Sequence, residues 1–149
     1  MRVTIMYEYL ESGLKNIFLV NGYRIKTTTY GKAVAIEDVE GLHETIARCL
    51  IEDKKHLTGP EFRFIRKFLD MSQKRIGELA GVGELTIHNW EKRSRLPKWA
   101  DRWIRLFLIR KCGDSDFSEL VDRLNSIDRD EMAKRWMFED TAEGWRPAA

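Results

Sequence analysis

The stretch from Ser72 to Lys92, SQKRIGELAGVGELTIHNWEK, constrains this chain more than any other. It divides into a short helix, a tight corner and a second helix. Gln73 opens the first helix, Ile76 and Leu79 are expected to point inward, and Gly77 stands where two helices must cross closely. Ala80, Gly81 and Val82 make the corner, and Gly81 suits a backbone with positive φ, where a side chain is strained. The second helix resumes with Ile87 and Trp90, three apart on one inward face. Glu84, Leu85, Thr86, His88 and Asn89 then lie on or near the outward face. This is the layout of a helix-turn-helix, whose second helix enters a DNA major groove.

The residues Ser72-Gln73, Ile76-Gly77, Ala80-Gly81-Val82, Thr86-Ile87 and Trp90-Glu91 resemble the pattern of Cro/cI-type (Xre) helix-turn-helix domains. Two positions depart from it. Gly77 stands where that family usually has alanine, which should loosen the first helix by roughly 1 kcal/mol. Gly83 stands where a serine usually caps the recognition helix, a loss of about a few tenths of a kcal/mol. In this arrangement Gln73 is expected to hydrogen-bond a phosphate and help seat the second helix. Asn89 can pair bidentately with adenine, Glu84 can accept from cytosine, Leu85 or Thr86 can touch a thymine methyl, and His88 faces the same base edges. Lys74, Lys92, Arg93 and Arg95 would neutralise phosphates.

The charge distribution agrees with that assignment. The net charge is only +2, yet residues 54–112 carry 15 basic and 6 acidic residues, net +9. Residues 1–53 carry 6 basic and 8 acidic, net −2, and residues 113–149 carry 5 basic and 10 acidic, net −5. The positive charge therefore falls on the segment that holds the motif, where a phosphate backbone would be attracted. With 149 residues, 43% hydrophobic and 34% charged, the chain can hold one ordinary domain or a small domain with an accessory one. No apolar run approaches the roughly 18 residues that span a bilayer. The start, MRVTIMYEYLESG, lacks the apolar core and cleavage site of a signal peptide. The expectation is a cytoplasmic protein with no membrane partner. Cys49 and Cys112 lie far apart without a CxxC pair and read as reduced, buried thiols. His43 and Cys49 are six apart, the wrong spacing for ligands on one helix face, so no metal is expected. Three scattered histidines, with no nucleophile elbow, phosphate loop or paired carboxylates, argue against an enzyme and against a cofactor.

Taken in order, the chain opens with an apolar stretch, Val3 to Met6, that reads as a strand. Ile17-Phe18-Leu19-Val20 is a compact strand-like run closed by Asn21-Gly22, the strongest short hairpin signal. Tyr23 to Tyr30 alternates as a half-exposed strand does, and Gly31-Lys32 makes a break before Ala33 to Ile36. Asp38 then caps a helix in which Leu42, Ile46, Ala47, Leu50 and Ile51 recur at helical spacing. Asp53 to His56 reads as a polar linker. Thr58-Gly59-Pro60-Glu61 is a capping box opening a helix with Phe62, Ile65, Phe68 and Leu69 as its core stripe. Arg63, Arg66 and Lys67 are expected to face water or phosphate. Arg93 to Pro97 is a basic loop that could rest along a DNA backbone. Lys98 to Lys111 is a further helix with Ala100, Ile104, Phe107 and Leu108 inward, and Trp99 and Trp103 share a face beside Arg102 and Arg105. Those tryptophans suit packing, in the core or in a dimer seam, better than stacking on bases. After Gly113 come two acidic amphipathic segments, the first with Phe117, Leu120, Val121 and Leu124, the second with Met132, Trp136 and Met137; the end is expected to fray.

These readings give a mainly α protein with a small antiparallel β-meander. Residues 1–53 form an N-terminal ββ(β)α accessory domain, residues 54–112 a lambda-repressor-like helix-turn-helix bundle, and residues 113–149 an acidic helical C-terminal extension. The segments YLESGLKNIFLVNG, TYGKAVAIEDVEGLHETIA and LTGPEFRFIRKFLDMSQ are together similar to MqsA-type (YgiT-like) antitoxins, over about Tyr9 to Arg110. That resemblance implies an N-terminal zinc module with two CxxC pairs, which this sequence lacks, so zinc is not carried over. The leading expectation is a homodimeric, sequence-specific repressor of a palindromic operator in double-stranded DNA. The alternative is an antitoxin of a type II toxin-antitoxin pair, which neutralises a toxin protein by direct binding and autoregulates its operon.

Overall fold

The computed structural model describes residues 5–112 and 135–148. Of these, 47% are helical and 22% lie in strands, so the fold is mixed α/β rather than mainly α. The described residues fall into two compact units, residues 5–46 with 135–148, and residues 47–112.

The first unit holds strands β1 (Tyr7–Glu8), β2 (Ile17–Leu19), β3 (Tyr23–Thr28), β4 (Gly31–Ile36), β5 (Trp136–Thr141) and β6 (Gly144–Pro147). The expected single meander is corrected to two sheets. One is four-stranded, in the order β1-β2-β5-β6, and the other is the β3-β4 hairpin. In the larger sheet β1 and β2 are antiparallel, β2 and β5 are parallel with Ile17 opposite Trp136 and Leu19 opposite Phe138, and β5 and β6 are antiparallel. The expected C-terminal helical extension is therefore corrected over its described part. Residues 136–147 are a hairpin, not a second amphipathic helix and a frayed end. Trp136 and Phe138 alternate with half-buried Met137 and Glu139, a period of two. The first acidic segment, with Phe117, Leu120, Val121 and Leu124, and Met132 of the second lie outside the described residues, as do Val3 and Thr4; Ile5 and Met6 precede the first strand, which begins at Tyr7.

Asn21-Gly22 is not a hairpin turn, and the reason is a contact with a distant part of the chain. The Asn21 amide pairs with the backbone of Asp140, accepting from its N–H at 2.6 Å and donating to its carbonyl at 3.3 Å. It thus prolongs the parallel ladder between β2 and β5 instead of folding β2 back on β3. The Trp145 indole lies against Gly22, where a Cβ would come within 2.4 Å of the ring, and Trp145 Nε1 donates to the Glu37 carbonyl at 2.9 Å. The Thr28–Gly31 corner carries the hairpin reversal: Thr28 Oγ1 donates to the Gly31 carbonyl at 2.6 Å.

Helix α1 (Val39–Asp53) begins in the first unit and ends in the second. Asp38 caps it, its Oδ1 accepting from Gly41 N–H at 3.2 Å, and Leu42, Ile46, Ala47, Leu50 and Ile51 are all buried, as the spacing predicts. Cys49 is a buried residue of the same helix. The second unit continues with α2 (Gly59–Phe68), α3 (Gln73–Ala80), α4 (Glu84–Trp90) and α5 (Lys98–Cys112). The capping box at Thr58 is formed in both directions: Thr58 Oγ1 accepts from Glu61 N–H at 3.3 Å and Glu61 Oε1 accepts from Thr58 N–H at 2.8 Å. Phe62 and Ile65 are buried and Phe68 and Leu69 half-buried, while on α5 Ala100, Ile104 and Leu108 are buried and Phe107 is half-buried. No helix among the described residues is long and apolar enough to cross a membrane.

Candidate nucleic-acid interface

The α3-corner-α4 pair is fixed by caps and one close approach. Ser72 Oγ accepts from Arg75 N–H at 3.0 Å, starting α3. Gly81 ends it in the left-handed conformation, φ 77°, and Val82 N–H returns to the Gly77 carbonyl at 2.9 Å. A Cβ on Gly77 would stand 2.9 Å from the Val82 carbonyl oxygen, so the alanine usual in Xre domains would push on the corner here. Gly81 has open space where a Cβ would go, so its cost of substitution is backbone strain alone. Gly81→Ala is expected to lose about 1–2 kcal/mol, read from the midpoint of urea unfolding. Beneath the pair Ile76, Ile87 and Trp90 are buried, and the Phe62 ring meets Trp90 edge-on at 5.9 Å. Leu79, expected inward, is instead 41% exposed. Ile76 and the glycine at 77 fill the crossing, and Leu79 falls past it.

The outward face of α4 is open. Glu84, Leu85, His88 and Asn89 are exposed and Thr86 is half-buried; Leu85, a large apolar side chain, is 70% exposed. Lys74, Lys92, Arg93 and Arg95 are exposed, and Gln73 is half-buried. The loop that carries Arg93 and Arg95 is held by its backbone, with Gly59 N–H donating to the Arg93 carbonyl at 2.8 Å and Leu96 N–H to the Leu57 carbonyl at 3.2 Å. The arginine side chains are thus presented by an anchored loop. Burial first, and the charge of Arg95 next, lower the pKa of His56.

Arg66, expected to face water or phosphate, is buried. Its Nε donates to Glu91 Oε2 at 2.6 Å, its Nη2 to Glu91 Oε1 at 3.0 Å, and its Nη1 to the Met71 carbonyl at 2.8 Å. This bidentate pair ties the end of α4 to α2 and to the residues leading into α3. Gln73 Nε2 donates to the same Glu91 Oε1 at 3.1 Å. One amide N–H is therefore spent on holding the side chain still, and the amide carries a second N–H. A second buried network lies at α5. Arg105 is 0% exposed, donating to Asp101 Oδ1 at 2.6 Å, the Ile51 carbonyl at 2.9 Å and the Lys55 carbonyl at 3.4 Å. Asp101 Oδ2 also accepts from Leu57 N–H at 2.7 Å. Arg105 therefore belongs to the core.

The interior carboxylate of Asp101, the pairing of Glu91 and the interior positions of Arg66 and Arg105 are not among the sequence-based expectations. A signal for them exists. Arg66 falls four residues after Phe62, and Asp101, Arg105 and Leu108 recur at helical spacing, so each charge lies on an apolar stripe. The tryptophans pack against their neighbours: Trp99, 50% exposed, meets Trp90 edge-on at 5.3 Å, and Trp103 stacks on Phe107 at 5.2 Å. Among the described residues no group of three or more His, Cys, Asp or Glu side chains is arranged to hold a metal. No protein-family model, curated protein or solved structure matches the chain.

Proposed function

We propose that the chain is a sequence-specific regulator of transcription that binds double-stranded DNA through α4, as a dimeric repressor of a palindromic operator. The observation that carries this reading is the open face of α4. Glu84, Leu85, His88 and Asn89 project from a helix whose other side, Ile87 and Trp90, is buried, and Lys74, Lys92, Arg93 and Arg95 are exposed cations on the segments before and after it in the chain. A helix of that kind suits the width of the major groove, and the flanking cations suit its phosphate walls. Gln73, steadied by Glu91, offers its second N–H to a phosphate beside the start of α3. Asn89 reads adenine, Glu84 accepts from cytosine, and Leu85 or Thr86 meets a thymine methyl. One such module covers only a few base pairs, so two copies related by a two-fold axis, with half-sites about one helical turn apart, give a usable operator.

The test begins by selecting an operator from random duplexes with the full chain. Asn89→Ala is expected to weaken binding to it by roughly 1–3 kcal/mol and to relax preference at one base pair per half-site. Arg93→Ala is expected to weaken all sequences alike and reduce the salt slope by about 0.9. If a gel-shift assay finds neither substitution changing affinity, α4 is not the reading element.

A further inference from the structure

The β3-β4 hairpin pairs only with itself among the described residues, and its alternation gives it two unlike faces. On one, Tyr23, Val34 and Ile36 are half-buried while Ile25, Thr27 and Lys32 are exposed, and the Tyr23 ring lies 5.2 Å from that of Tyr7. That face is the hairpin's hold on its own unit. On the other, Arg24, Lys26 and Thr28 of β3 stand opposite Ala35, Ala33 and Gly31 of β4, and all six are exposed. From Asn21 to Ile36 the sequence has three cations, Arg24, Lys26 and Lys32, and no carboxylate. The remainder of that unit is acidic: residues 1–20, 37–46 and 133–149 hold 5 basic and 9 acidic residues. Arg24 approaches Glu37 to 3.7 Å, but both side chains are mostly solvated, and such a surface pair is readily exchanged for another anion.

We propose that this face binds the phosphate backbone of duplex DNA, as a contact separate from α4; the proposal rests on the DNA-binding reading above. Three features point to it. The cations lie two residues apart on one strand and therefore on one side. The strand beside them presents only small side chains, so a broad anionic surface can come close to the ribbon. A two-stranded ribbon also has the width that a DNA groove admits. The face carries no large apolar side chain of the kind that anchors a protein interface, which favours a polyanion over a protein partner.

The experiment uses the full chain and a random-sequence duplex, with anisotropy titrations between about 50 and about 200 mM salt. R24A/K26A is expected to reduce the slope of log affinity against log salt by about 1.8, two phosphates at about 0.9 each. Lys15→Ala removes an exposed cation elsewhere in the same unit and is expected to leave the slope alone. The charge-keeping pair R24K/K26R is expected to retain the wild-type slope. If R24A/K26A lowers the thermal midpoint, Lys26→Gln takes its place, with an expected reduction of about 0.9. An unchanged slope in the alanine pair, with Asn89→Ala still relaxing specificity on the operator, overturns the hairpin assignment and leaves α4 in place. A wild-type chain that binds no duplex overturns both. An unchanged slope together with a protein that co-purifies only with intact Arg24 and Lys26 gives the face to a protein partner and overturns the proposal.

Discussion

Replacing Asp101 by alanine is expected to destabilise the chain by roughly 3–5 kcal/mol, because it leaves the Arg105 guanidinium charged and without its counter-ion in the interior. Arg105 has no exposed surface, and burial already lowers its pKa, opposed by the hydrogen bond and charge of Asp101. Removing the carboxylate takes away that opposition. It also strands the Leu57 N–H, which donates to Asp101 Oδ2. A buried ion pair can often be replaced by apolar residues of similar volume with little loss, but here that rescue should be incomplete. Asp101→Leu combined with Arg105→Met removes both charges yet leaves Leu57 N–H and the Ile51 carbonyl without their partners, each worth about 1–3 kcal/mol when buried. The double variant is thus expected between the single variant and wild type in urea unfolding. A double variant as stable as wild type would mean that the two backbone groups find other partners.

The same pair of residues illustrates what a sequence can and cannot reveal. The α3-corner-α4 pair was legible because its signals are local: a serine cap, a glycine corner, and Ile87 and Trp90 three apart. The capping box at Thr58 and the Asp38 cap were legible for the same reason. The sheet was not, because its central pairing joins Ile17–Leu19 to residues 136–138, far apart in the chain, and no local pattern specifies a partner at that distance. Asn21-Gly22 misled for a related reason. Its turn propensity is real, and Gly22 does adopt φ 76°, but the Asn21 amide found a better use against Asp140. Arg66 is expected at the surface on the general rule that charges are solvated. What overrode the rule was a carboxylate whose partnership is invisible until the helices pack, Glu91 lying 25 residues from Arg66. The exposed face of α4 followed directly from the helical period, whereas the role of Glu91 behind Gln73 did not.

Glu91 differs from Asp101 in that its loss touches both stability and Gln73, which the proposed DNA-binding reading sets against a phosphate, and the two effects can be separated. Glu91→Ala is expected to cost roughly 3–5 kcal/mol, since Arg66 keeps only the Met71 carbonyl as a strong partner. Unlike the α5 network, this one satisfies no buried backbone N–H through its carboxylate. Arg66→Met with Glu91→Leu should therefore recover most of the loss, to within about 1 kcal/mol of wild type. What the double variant cannot restore is the acceptor that steadies Gln73. Its amide is then free to rotate, and ordering it against a phosphate incurs rotamer entropy that the native chain has already lost on folding. Binding to the selected operator is expected to weaken severalfold for the double variant relative to wild type. The salt slope should stay within about half a unit of wild type, because no cation that meets a phosphate has been removed. Gln73→Ala should weaken binding by a similar factor in an otherwise native protein, and adding it to the double variant should change little further. Urea midpoints and anisotropy titrations on the four proteins complete the cycle. If the Arg66→Met, Glu91→Leu chain bound the operator as tightly as wild type, Glu91 would be a purely structural residue and Gln73 would owe it nothing.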